Sequence, residues 1–236
     1  MIKSKKLSKY KNIRHAFFNK LDGGSKDLSK NIKVVLKKIK INTQKVFLLN
    51  QIHSNKFYYI DKNTKFKTNK FKGDALITDN NKIPIGVLTA DCSPILIHDH
   101  NRKMVAAIHA GWKGAFKGIV KNVIDFMLKK GCSTKNMTAV IGPCISIENY
   151  EVKKDFIKKF LKKDKKNKFF FKKIDNKNYF SLNKYINYQL KDLNIRNIEI
   201  IKKDTFNIKN NFFSARRSIR RNKNDYGRNI SIIMIN

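Results

Sequence analysis

The chain has 236 residues, 41% of them hydrophobic, enough to bury an α/β core without disulfide support. Its formal net charge is +36, from 53 Lys and Arg against 17 Asp and Glu. Three cysteines cannot all pair, which excludes a disulfide scaffold, and no stretch reaches the roughly 18 apolar residues of a membrane span.

The basic excess is mostly Lys and comes with heavy use of Asn, Ile and Phe, all encoded by codons rich in A and T. It is spread along the chain, with residues 1–11 and 153–173 the densest parts. Compositional drift therefore accounts for it better than selection for nucleic-acid binding, although the field still favours anionic ligands such as phosphate. With three prolines and no Gly- or Ser-rich linker, residues 1–236 read as a single domain. No apolar leader follows the basic start, so the expected compartment is the cytoplasm, where a thiolate stays reduced.

In chain order, residues 9–20 read as a strand and Gly23-Gly24-Ser25 as a turn. Residues 28–40 carry apolar side chains at helical spacing beneath a Lys-rich face. Residues 45–53 read as a strand ending in polar groups, 57–60 as a short strand and 64–72 as an exposed loop. The runs at 74–78, 85–90, 94–98 and 104–109 are short, apolar and β-branched, as buried strands are. Residues 114–130 predict one amphipathic helix with Gly131 at its C′ position. A strand at 137–141, a basic helix at 153–163, a helix opening at Ser181 and strands at 198–201 and 230–235 complete the pattern. The alternation predicts an α/β fold, a single-domain α/β sandwich with a mixed β-sheet flanked by helices.

Three segments carry chemistry: Gln51-Ile52-His53-Ser54, Ala90-Asp91-Cys92-Ser93-Pro94 and His109-Ala110-Gly111-Trp112. Each sets a soft or borderline donor where an apolar run ends. Two imidazoles and one thiolate suit Zn²⁺ with a fourth position open, and also copper. The 17-position spacing from Cys92 to His109 matches no local zinc motif, so spacing does not decide whether these are ligands or ordinary core side chains. Cys132, after a helix, reads as incidental, and Cys144 as a residue near a strand end. His15, His98 and His100 read as structural or exposed. Asp91 is a candidate for proton transfer or for orienting a ligand, with a turn-capping role as the alternative. Arg216, Arg217, Arg228 and Lys113 are candidates for phosphate, with surface ion pairing as the alternative. Trp112 either stacks on a base or packs in the core.

The blocks QIHS, GDALIT, TADCSPILIHD, AAIHAGWKGAFKGIV, IGPCISIENYEV, FFSARRS and YGRNISIIMI, in this order, resemble the laccase-domain purine nucleoside phosphorylase family, also known as YfiH-like or polyphenol oxidase proteins. The resemblance implies a metal, Zn²⁺ or Cu²⁺ at one per chain, held by His53, Cys92 and His109. It implies phosphorolysis of adenosine, inosine and 5′-methylthioadenosine, and deamination of adenosine. Partners are then purine nucleosides and phosphate, with no membrane, no required nucleic acid, and a monomer or homodimer. The chain departs from the family pattern in three places. A Ser-Leu-Asn element before the first helix is missing around Gly23-Gly24-Ser25, Lys20 replaces an Arg, and Asp204 replaces a Cys. Rival readings are a metal-dependent hydrolase of a peptidoglycan precursor, a copper-dependent phenol oxidase and a non-enzymatic nucleic-acid binder.

Overall fold

A computed structural model describes residues 1–23, 28–43, 45–61, 64, 71–222 and 226–236. Its strands are β1 (Ile13–Phe17), β2 (Phe57–Ile60), β3 (Ala75–Thr78), β4 (Ile85–Thr89), β5 (Ser93–Asp99), β6 (Met104–Ala110), β7 (Met137–Ile141), β8 (Glu151–Val152), β9 (Phe171–Ile174), β10 (Lys177–Phe180), β11 (Asn197–Ile200) and β12 (Asn229–Ile235). Its helices are α1 (Leu28–Lys38), α2 (Trp112–Lys117), α3 (Ile119–Lys129), α4 (Lys154–Lys163), α5 (Leu182–Asp192) and α6 (Ala215–Arg220).

A mixed sheet in the order β11-β7-β5-β6-β3-β2 forms the centre. Its strands alternate two apolar faces, because successive side chains on a strand point to opposite sides. Ile95, Ile97, Ala106 and Ile108 face α3 and α5, packing on Val120, Val123, Ile124 and Ile186. Leu96, Val105, Ala107 and Val140 face the other way, onto a second sheet of order β1-β12-β4. That sheet alternates too: Ile233 and Ile235 meet the first sheet, while Ile232 and Met234 meet Val35, Leu36 and Ile39 of α1. The layers are helix, sheet, sheet, helix, so the mixed sheet flanked by helices is as expected, with a second sheet inserted between it and α1. A small antiparallel sheet, β8-β10-β9, lies to one side. Among the described residues no helix is long and apolar enough to cross a membrane.

Several local expectations are corrected. Residues 45–53 form no strand; they touch the sheet at single bridges, Phe47 to Ile85 and Asn50 to Lys72, and then turn through a left-handed His53 at φ 57°. The helix expected over 114–130 is two helices. It begins earlier, at Trp112, and breaks at Gly118, whose φ of 89° is left-handed. Gly131 is left-handed as expected, at φ 84°. The first strand shrinks to Ile13–Phe17, preceded by a tight turn at Leu7–Lys9. Residues 24 and 25 of the proposed turn, and 65–70 of the proposed loop, lie outside the described residues.

Candidate metal centre

Strand register builds the centre. β5 and β6 are antiparallel, pairing Ser93 with Ala110 and Pro94 with His109. Cys92, one residue ahead of β5, is thereby set beside His109. β3 also runs antiparallel to β6, pairing Ala75 with Ile108, so Asp74 falls beside His109 on its other flank. The His109 amide donates to the Asp74 carbonyl at 2.7 Å.

His53 arrives from the loop before β2, and Asp74 fixes it. The fully buried carboxylate accepts the His53 amide at 2.9 Å on Oδ1, and the Ser54 amide and hydroxyl at 2.5 and 2.6 Å on Oδ2. The same Oδ1 accepts Nδ1–H of His109 at 2.8 Å. A carboxylate cannot donate, so this bond fixes a proton on Nδ1 and leaves Nε2 as the nitrogen that would ligate a metal, giving up its own proton on binding.

The donor atoms of His53, Cys92 and His109 lie within 4.8 Å of one another. Cys92 Sγ is 3.8 Å from His53 Nε2. Bonds of about 2.0–2.3 Å to a tetrahedral ion need donor separations of about 3.5 Å, so the set fits zinc or copper after a small contraction. His53 is exposed, Cys92 half-buried and His109 buried, which leaves one side open. Gly111 makes the close approach possible: a Cβ there meets Cys92 Sγ at 2.7 Å and His53 Cδ2 at 3.0 Å. Among the described residues this is the one group of three or more such donors. Cys144 is buried in a bridge to Asp204 and stands outside it.

The electrostatics suit a metal ligand. Burial alone raises the Cys92 thiol, but the neighbouring imidazoles outweigh it and bring it down to about 6. Burial alone lowers His109, but the Cys92 and Asp74 charges outweigh it and raise it to about 9. Burial raises Asp74, and the hydrogen bonds from His109 and Ser54 reverse this, to about 2. The thiolate is thus present at neutral pH, the form a metal requires.

Asp91 points away from the donors. Its carboxylate accepts Thr205 Oγ1 at 2.7 Å, Ser214 Oγ at 2.9 Å and the Arg216 amide at 2.6 Å, and burial raises its pKa. Arg216 lines a cavity of about 640 Å³ together with Trp112, Tyr150, Phe156, Lys153 and Lys159. Its guanidinium donates to the Glu151 carbonyl at 2.9 Å and lies over the Tyr150 ring. None of the three donor residues lines this cavity, but Trp112 in its wall follows Gly111, which packs against Cys92. Trp112 is half-buried, its ring packed on Phe156 at 4.9 Å. Lys113 is exposed above Trp112. Arg217 lies elsewhere, donating to the carbonyls of Thr205, Phe206 and Phe212. Arg228 donates to the carbonyls of Tyr226 and Gly227 and lines a separate cavity. Asp204 accepts the amides of Ser146 and Phe206 and the side chain of Asn149, which ties its own loop to the segment 146–149.

Sequence reasoning missed the part Asp74 plays. Its signal was present, an acid at the mouth of a buried apolar strand, where only a paired charge is tolerated.

The family model for multi-copper polyphenol oxidoreductase laccase matches residues 17–236, and the chain belongs to that family. It is 35% identical over 177 residues to a purine nucleoside phosphorylase of Rickettsia conorii, covering 74% of this chain and 72% of the relative. A purine nucleoside phosphorylase of Campylobacter jejuni is 31% identical over 176 residues, with the same coverage of 74% and 72%. Among solved structures, YfiH of Bacillus licheniformis superposes with a TM-score of 0.83 at 25% identity, over 95% of this chain and 93% of that one. YlmD of Geobacillus stearothermophilus shares the fold, with a TM-score of 0.81 at 19% identity over 96% and 93%.

Proposed function

We propose that this chain is a metal-dependent purine nucleoside phosphorylase acting on adenosine, inosine and 5′-methylthioadenosine, with deamination of adenosine at the same centre. The observation that carries this reading is a His–Cys–His donor set joined through Gly111 to a cavity whose walls combine aromatic faces with three cations and two carboxylates, Glu151 and Asp155. The names of the relatives from Rickettsia and Campylobacter support it. We read residues 1–236 as one cytoplasmic domain, working as a monomer or homodimer with one Zn²⁺ or Cu²⁺ per chain.

Phosphorolysis breaks the bond from the base to C1′ and joins a phosphate oxygen to that carbon. The protein must hold a planar base and an anion in one place. A cavity of about 640 Å³ is of nucleoside size. Trp112, Tyr150 and Phe156 offer ring faces to the base. Arg216, Lys153 and Lys159 offer charge to the phosphate, Arg216 through a planar fork. His53, Cys92 and His109 would hold the metal, which when bound would supply Lewis acidity. Asp91 acts as a positioning residue: it bonds the Arg216 amide and precedes Cys92, so it sets a phosphate ligand and a metal ligand together. Arg217 and Arg228 serve their loops, and Lys113 adds charge above Trp112.

Phenol oxidation by several coppers finds one donor group among the described residues, so phosphorolysis is the better-supported reading. Metal-loaded protein given inosine and phosphate should release hypoxanthine and ribose 1-phosphate, and release neither when phosphate is withheld. Metal-loaded protein inert towards all three nucleosides contradicts the substrate assignment.

A further inference from the structure

A second cavity, of about 530 Å³, opens where the start of β1 meets the end of α1. Lys3, Lys11, Arg14, Lys38 and Lys40 line it, and no carboxylate does. Lys38 bonds Asp22 at 3.0 Å. The other four cations have no ion pair among the described residues. His15 is 4% exposed and forms part of the wall. Its Nε2 accepts the Ser4 amide at 3.0 Å, which places the ring proton on Nδ1. Nδ1 makes no hydrogen bond among the described residues, so a fixed N–H donor stands in the wall of a cationic bowl. None of these residues lines the cavity beside the metal centre.

We propose that this cavity binds a small oligophosphate anion, pyrophosphate or the phosphate tail of a nucleotide, as a site separate from the metal centre. Four cations without an ion pair among the described residues repel each other around one concavity, and a compact polyanion relieves that repulsion. The volume exceeds what orthophosphate fills and suits two or three phosphates with part of their carrier. The neutral imidazole adds direction to the charge: burial and then Lys3 lower His15 to about 4, against the partial support of Glu199. Burial likewise lowers His98 to about 4. His15 therefore meets an anion as an N–H donor at neutral pH.

The test is calorimetric titration of the zinc-loaded full chain with pyrophosphate at about 0.15 M salt, beside NMR of the His15 ring. A saturable site distinct from the phosphate subsite at Arg216 is expected, weakened about tenfold or more in Lys3→Ala/Lys11→Ala. It should persist unchanged in Arg216→Ala, which removes the other subsite, and in Lys162→Ala/Lys166→Ala, which alter exposed lysines in and just after α4. Saturation should raise the His15 pKa, since a neighbouring anion favours imidazolium. ADP competing with pyrophosphate supports the nucleotide as source, and ADP without effect supports free pyrophosphate. Loss of binding in Arg216→Ala alone places the anion at the metal centre and overturns the proposal. Equal loss in both lysine pairs, absence of a saturable site, or tighter binding of a single-stranded oligonucleotide also overturns it.

Discussion

The Asp74 carboxylate sits at zero exposure between two candidate metal ligands and serves both through different atoms of their residues. It takes the backbone amide of His53 and the ring Nδ1–H of His109. Replacing it with Asn keeps the shape and removes the charge. Partners of this kind are worth about 10–100-fold in metal affinity, and that loss is expected for Asp74→Asn in competition with a chromophoric chelator. Gly111 acts by space alone. Its φ of −72° is ordinary for any residue, yet an added Cβ lands 2.7 Å from Cys92 Sγ. Gly111→Ala should therefore lose metal while melting like the parent once both are stripped by chelator.

At the scale of elements, the break between α2 and α3 separates the turn that follows His109 from the helix that packs on the central sheet. Gly118 makes the break at φ 89°, and a Cβ there meets nothing within 4 Å. The cost of Gly118→Ala is then conformational only, about 1–2 kcal/mol, read as a shift in the urea midpoint with metal content unchanged. Where the sequence pattern was strong, the elements were legible: β5, β6 and β7 are runs of buried apolar residues, and the ends of β5 and β6 carry Cys92 and His109. Where a tertiary contact sets the backbone, they were not. Residues 45–53 open on an apolar run like that of a strand, but the turn at His53 depends on a carboxylate 21 positions away, which no local pattern records. The hairpin of β9 and β10 was hidden by its lysines, because a charge run and a half-exposed sheet edge read alike. α6 is six residues long, too short for periodicity to reveal it. The candidate ligands were legible as residue types, but their convergence came from antiparallel register.

For the whole molecule, two buried histidines set the acid limit. Burial lowers His15 and His98 to about 4 from 6.5, and the ring nitrogens of His98 have no hydrogen-bond partner. Between pH 6.5 and 4 the unfolded chain binds protons on these rings that the folded chain refuses. Stability is therefore full above pH 6.5 and falls as pH drops through that window, by up to about 1.4 kcal/mol per unit for each ring. Urea unfolding of chelator-treated protein at pH 7, 6 and 5 should show this fall, and a flat profile would count against neutral buried rings. Chelation matters to the design, because loss of a metal in acid would mimic the effect.

The central claim is that side chains from three distant segments share one ion, and elemental analysis of the purified chain beside Cys92→Ala tests it most directly. About one equivalent of zinc or copper in the parent and almost none in the variant is the expected result. A variant that keeps the full complement, or a parent that takes up no metal when supplied with it, would contradict it.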